Sequence, residues 1–410
     1  MMSQLRRAAE NLEKDDGWRG RGMEKTMWVG KELGLAWAEM EKTMAQKASK
    51  TKKRWEMETG KIIVEKVRGK STLTKCFSKY PLKFINPKNV APSQTDVVWI
   101  YAITYGGGIV SGDSIACDIT VGDGCTTVLT TQASTKVYKV VGTKISEQVL
   151  EARIGSDAFL AVIPDPVTCF STAKYSQKQV FKVMSDSSLL LVDWITSGRH
   201  ERGEKWDFDL YRSMNNIFHN GDEPLFLDTH LEKKTFPIDP CPPKLKKTEN
   251  NSRDRTESLL EQGTCSDIAE RMQDYQVIAM VILLGPKLKH VQNQIQEDVK
   301  KIMSQSLHMP TIGSGQSTSR HNDHHLTKPS FLASCSIFGP KGIGVVTRIA
   351  AMTTESVYNF LQHQLSSMEP LLGVKPYSYA SMRGWIPSFY NEEESSHCKL
   401  SLARYARMDQ

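Results

Sequence analysis

Four short segments gather the side chains that could do chemistry. The first, Tyr105-Gly-Gly-Gly-Ile-Val-Ser-Gly-Asp113, follows a hydrophobic stretch and holds Gly106, Gly107, Gly108 and Gly112. Glycines after a strand can cradle phosphate on backbone N–H groups. A Walker loop, however, needs Gly-Lys-Ser/Thr, and here Gly112 precedes Asp113 and Ser114, whose carboxylate repels phosphate. A tight turn is the better local reading, with Asp113 available for a hydrogen bond or a cation. The second segment, Thr130-Thr-Gln-Ala-Ser-Thr-Lys-Val-Tyr138, carries hydroxyls at 130, 131, 134, 135 and 138, the amide of Gln132 and the ammonium of Lys136. Composition alone favours the outer face of a sheet. An internal polar channel is the alternative, since buried hydroxyls need partners or water.

Ile163-Pro-Asp-Pro-Val167 fixes a bend with two prolines and holds Asp165 at its apex, as a structural corner or as a functional carboxylate. The fourth segment, Asp193 to Trp206, is dominated by charge between Gly198 and Gly203 and reads as an exposed loop. His200 beside Glu201 and Glu204 offers at most a weak metal site. His321-Asn-Asp-His324-His325 has the look of a ligand cluster, but it lies in a stretch of low complexity, where adventitious metal binding is the plainer reading. No Gly-x-Ser-x-Gly elbow is present, and spacing assigns no pair of carboxylates for glycoside hydrolysis. Catalysis is not visible.

The elements that must position these residues are short β-type runs. Ile62 to Val64, Val97 to Ile103, Ile115 to Val121 and Cys125 to Thr131 are rich in branched and aromatic residues. Gly122-Asp-Gly124 between two such runs reads as a hairpin turn. Similar turns recur at Gly155-Ser-Asp, Ser185-Asp-Ser-Ser and Gly221-Asp-Glu-Pro, which suggests one β unit repeated. The fold class expected is mostly β, solenoid-like in the manner of an irregular β-helix, with a few C-terminal helices; a sandwich is the alternative.

Residues 1–54 read as a flexible basic leader, 55–240 as a β-rich body and 241–274 as a polar insertion. A strand and helix follow over 275–303, then a low-complexity linker over 304–330 and the C-terminal part of the body over 331–410. The expected helix Thr354 to Ser367 carries Val357, Phe360, Leu361 and Leu365 on one side.

Of the net charge of +7, the leader holds +5, so the body is nearly neutral and shows no nucleic-acid footprint. The longest apolar run, Val277 to Leu284, is far shorter than the ~18 residues of a membrane span. Eight cysteines without a Cys-x-x-Cys pair argue against structural zinc and for reduced thiols in the cytoplasm.

Taken in order, these segments resemble the family of the urease accessory protein UreD, called UreH in some bacteria, in its eukaryotic form. The matching pieces are Tyr80-Pro-Leu-Lys-Phe-Ile-Asn-Pro87, Gly106 to Asp113, Leu129 to Tyr138, Ile163 to Pro166, Ser197 to Glu204, Val346-Thr-Arg348 and Pro376 to Trp385. They span about residues 56–390, while the leader and the 241–274 insertion depart from the compact bacterial pattern. The resemblance implies a non-enzymatic scaffold, a chaperone of nickel-site assembly, that binds apo-urease and a UreF-type protein and through it a UreG-type GTPase. It implies no tightly bound cofactor, a transient nickel ion, no membrane and no nucleic acid. Oxygen ligands suit a metal that must also leave. On that reading Asp113, Thr130, Gln132, Lys136, Asp165 and Glu204 become candidates for a nickel path, with Asp113 and Glu204 as transient ligands, and the polar channel overtakes the surface reading of 130–138. The face of Val357, Phe360, Leu361 and Leu365 becomes a candidate contact for the UreF-type partner, with burial in the core as the alternative. The rival function is a β-solenoid hydrolase using Asp113, Asp165 or Glu204 as acid and base.

Overall fold

Runs of branched and aromatic residues broken by Gly/Asp turns build a coil of strands. The computed structural model describes residues 58–87, 90–92, 94–233, 268–307 and 328–378. The leader, residues 241–267 of the insertion, the cluster His321, His324 and His325, and residues 379–410, which hold most of the Pro376 to Trp385 segment, lie outside the described residues. An antiparallel pair opens the fold, β1 (Gly60–Val67) and β2 (Lys70–Ser78), followed by the short β3 (Leu82–Ile85). The first coil is β4 (Val98–Thr104), β5 (Gly108–Ile109) and β6 (Ser114–Val121). The second is β7 (Thr126–Thr131), β8 (Thr135–Val137) and β9 (Ser146–Ile154), and the third is β10 (Phe159–Val162), β11 (Val167–Cys169) and β12 (Lys174–Val183). The fourth coil joins β13 (Ser188–Thr196) to β14 (Leu210–His219) through a loop with a single helical turn at His200–Arg202. Strand β15 (Glu223–Lys233) then folds back on β14.

The rest of the chain covers and ends the coils. It comprises α1 (Ile268–Met272), β16 (Val277–Leu284), α2 (Lys289–Leu307), β17 (Phe331–Phe338), β18 (Gly344–Ala351), α3 (Thr354–Leu365) and α4 (Glu369–Leu372). Helix α2 runs on to Leu307, into the segment read as linker, and Ile268 at the end of the polar insertion is buried.

Two sheets face one another. One has the order β15-β14-β12-β9-β6-β1-β2, the other β17-β18-β16-β13-β10-β7-β4-β3, with β5, β8 and β11 forming a narrow third side. The strands of successive coils pair in parallel, so that Ile100, Leu129, Val162 and Leu191 stack in one column. Turn Gly122–Gly124 is therefore not the hairpin expected. It carries the chain from β6 in one sheet to β7 in the other, and the same holds at Gly155 and Ser185. A turn signal marks where the chain changes direction but not which strand it will pair with.

The corners hold one another. Asp123 Oδ1 accepts the Ser156 N–H at 2.8 Å, and the Ser156 hydroxyl donates to Asp186 at 2.8 Å. Only the last of the four turns, at Gly221, closes a hairpin, β14–β15, which is where the regular coils stop.

Three apolar clusters result. One lies between the β16-containing sheet and α2 and α3, and two lie between the sheets. Cys125 and Cys169 are buried in them as small hydrophobes. Among the described residues no helix is long and apolar enough to cross a membrane.

Candidate functional site

The narrow third side brings the motif segments onto successive coils. Gly108 pairs with Lys136, Lys136 with Thr168, and Thr168 with Thr196. The glycine loop, the hydroxyl-rich segment, the Pro-Asp-Pro corner and the Arg199–Glu204 loop are thus stacked in chain order. The glycines serve this close approach. A Cβ on Gly108 would stand 2.6 Å from the Lys136 carbonyl, and Gly112 has φ +84° against the stem of Lys144.

Within this stack the predicted carboxylates are each engaged separately. Asp113 Oδ2 accepts the Val110 N–H at 2.8 Å and closes the glycine turn. Burial raises its pKa, and the Val110 N–H works against that rise. Asp165 holds the C-terminal helices to the coils. It donates its N–H to Thr131 at 2.8 Å and accepts the Tyr358 hydroxyl of α3 at 2.6 Å. The neighbouring Pro164 carbonyl accepts Trp194 Nε1 at 2.9 Å and the Tyr377 hydroxyl at 3.0 Å. Thr130 donates to the Ile163 carbonyl at 2.8 Å, while Gln132 and Lys136 are exposed. The 130–138 stretch is therefore divided between bonds linking neighbouring coils and solvent, and does not line one channel. Glu204 is paired with Arg199, whose Nε donates at 3.0 Å and whose guanidinium lies 4.0 Å over the Phe170 ring.

Among the described residues, no group of three or more His, Cys, Asp or Glu forms a metal-sized cluster. The apolar face of Val357, Phe360, Leu361 and Leu365 is turned inward against the core cluster and is buried, so it is not available to a partner. The helix period alone could not say which side of α3 faced the sheet.

The Arg199 side chain holds the Glu204 carboxyl below the usual glutamate range, chiefly through its hydrogen bonds. A carboxylate with a depressed folded pKa contributes stability above its unfolded value, about 4.3, and loses it as pH falls through the folded one. The difference in Tm between wild type and Arg199→Gln should therefore be present at pH 7 and close below about pH 4. A gap unchanged by pH would assign the effect to stacking on Phe170.

The sequence reading passed over the most consequential side chain, Asp193. It points between the sheets and is buried, and three donors converge on it: Gln177 Nε2 at 3.1 Å, Ser213 Oγ at 2.6 Å and Asn215 Nδ2 at 2.7 Å. Gln179 donates to Asn215 at 3.0 Å, and the Tyr175 hydroxyl reaches Gln177 and Gln148, each at 3.1 Å. No cationic side chain among the described residues pairs with Asp193.

Three strands place this polar layer in the same way. On β12, Gln177 and Gln179 fall between Tyr175 and Phe181. On β13, Asp193 falls between Leu191 and Ile195. On β14, Ser213 and Asn215 fall between Tyr211 and Ile217. Each flanking pair divides between the two inter-sheet clusters, so the layer separates them. Burial, with the charge of Asp193 adding to it, pushes the Tyr175 and Tyr211 phenols well up. By register the layer continues from Asn215 to Asp228, whereas across β16 the apolar Met280 stands between Asp193 and Arg348. Arg348 donates to Asp228 at 2.8 Å, and its half-exposed side chain brings the layer to the surface. The available signal was a carboxylate inside the apolar run Leu189-Leu-Leu-Val-Asp-Trp194.

A family model, UreD urease accessory protein, matches residues 58–239. Urease accessory protein D of Arabidopsis thaliana is 58% identical over 322 residues, 78% of this chain and 100% of that protein. The Urease accessory protein D of Oryza sativa subsp. japonica is 53% identical over 319 residues, 78% and 94% of the two chains. The Urease accessory protein UreD of Anaeromyxobacter sp. (strain Fw109-5) is 27% identical over 319 residues, 78% and 88%. With the stacked parallel coils and the motif segments aligned along their third side, these likenesses establish that the chain belongs to the UreD urease accessory protein family and so to the machinery of urease maturation.

Proposed function

We propose that this protein is a non-catalytic scaffold that binds apo-urease together with a UreF-type protein, and through it a UreG-type GTPase, and passes nickel to the urease active site along the polar layer between its two sheets. The observation that carries this reading is Asp193, a buried carboxylate fed by neutral donors and lacking a cationic partner among the described residues. Buried carboxyl oxygens need partners, and oxygens that only neutral donors meet, in a layer that runs on to Asp228, offer a place for a passing cation. The lining atoms are oxygens and amides, which bind a divalent cation less tightly than thiolates and let it leave. Asp113, Asp165 and Glu204 have partners of their own and are assigned to the architecture.

Purified full-length protein mixed with apo-urease and a UreF-type protein should co-elute with both. Adding nickel-loaded UreG-type GTPase should raise urease activity only when this chain is present. Turnover of esters or glycans by the chain alone, with no effect on urease, would favour the hydrolase instead.

A further inference from the structure

The loops on the narrow side carry a surface that neither the core nor the polar layer uses. Tyr80 and Tyr105 are 65% and 49% exposed, with their rings 5.9 Å apart. The loop after β8 crosses the glycine loop, where the Val141 N–H donates to Ser111 at 2.9 Å, and it leaves Val141 70% and Ile145 41% exposed. Single exposed hydrophobics are ordinary, whereas adjoining ones mark an interaction site. Two cations accompany them. Lys136 is exposed beside Gly108, and the stem of Lys144 lies against Gly112. Neither has a carboxylate partner among the described residues, because Asp113 is spent on its own turn and Glu204 on Arg199. The strip is therefore apolar and locally positive.

We infer that this strip docks an acidic segment of a protein partner, one belonging to urease maturation if the scaffold reading above holds. Carboxylates of the segment reach Lys136 and Lys144, and its apolar side chains lie on Tyr80, Tyr105, Val141 and Ile145. A nucleic acid fits less well. The body outside residues 1–54 has a net charge of only +2, too little field for a run of phosphates.

The test uses the full-length protein and two probes. One is a labelled synthetic peptide alternating glutamate, leucine and proline; the other is the apo-urease complex with its UreF-type protein. Variants are Tyr80→Ser with Tyr105→Ser, and Lys136→Glu with Lys144→Glu. Lys75→Glu with Lys178→Glu, exposed on the seven-stranded sheet, is the control. All are surface changes, so circular dichroism and Tm should match wild type. The expected result is peptide binding that weakens with salt and falls about tenfold or more in both strip variants but not in the control. Binding equal in strip and control variants, or a thymidine oligonucleotide preferred over the peptide, overturns the proposal. Strip-dependent peptide binding with a maturation complex that ignores the strip variants also overturns it, because the partner is then a different one. A wild-type protein that binds the peptide through the strip and never binds the complex leaves the strip standing and removes the scaffold reading.

Discussion

Asp193→Asn is expected to leave the protein folded and its partners bound while urease activation at limiting nickel falls at least about tenfold. Asparagine keeps the size and one acceptor oxygen, but it turns an N–H₂ toward groups that already donate: Gln177, Ser213 and Asn215. One or two buried mismatches cost about 1–3 kcal/mol each, which a domain stable by 5–15 kcal/mol survives. On the proposed reading, what does not survive is the carboxylate in the middle of the layer, the group that would draw a cation off the surface. Asp193→Ala should be worse for folding, because it leaves all three donors unsatisfied and opens a void. Complex formation, Tm and urease activity are to be measured on the same samples across a nickel series. Activity that falls only in step with lost complex makes Asp193 structural. Activity unchanged in a folded variant puts the path elsewhere.

Leu361→Asp should abolish soluble protein, and Phe360→Asp should do nearly the same. Both side chains are buried, and Phe360 packs against Phe331 with ring centroids 5.2 Å apart. A carboxylate introduced there loses its hydration with no cation to replace it, a cost of several kcal/mol on top of the lost apolar contacts. Leu361→Ala removes only the contacts and should cost about 2–5 kcal/mol, which chemical denaturation of the expressed protein would read. If Leu361→Asp were soluble with wild-type Tm and failed only to bind its partner, the helix face would be an interface and the inward packing of α3 would be overturned.

The repeating unit is legible in the sequence alone, because turns at Gly122, Gly155 and Ser185 cut the chain into strand-bearing lengths of similar size whose apolar residues must be covered. The sequence also determined, through segments in a fixed order, which family the chain resembles, and it located β16 and the helices that follow within a few residues. It could not determine strand partners. Alternating and continuous apolar runs look alike whether a turn closes a hairpin or passes to a second sheet, so Gly122–Gly124 reads as a hairpin although β6 and β7 lie in different layers. The same blindness hid the polar layer. Gln177, Asp193, Ser213 and Asn215 are far apart in sequence, and each is unremarkable on its own strand. Only the parallel register of β12 and β14 and the facing position of β13 bring them together. Nor could it say which side of α3 meets the sheet or which carboxylates are already taken by Val110, Tyr358 and Arg199. A sequence records the chemistry and period of each side chain. Whether that side chain faces water, apolar atoms or a donor depends on a neighbour distant along the chain, and that is decided only when the coils stack.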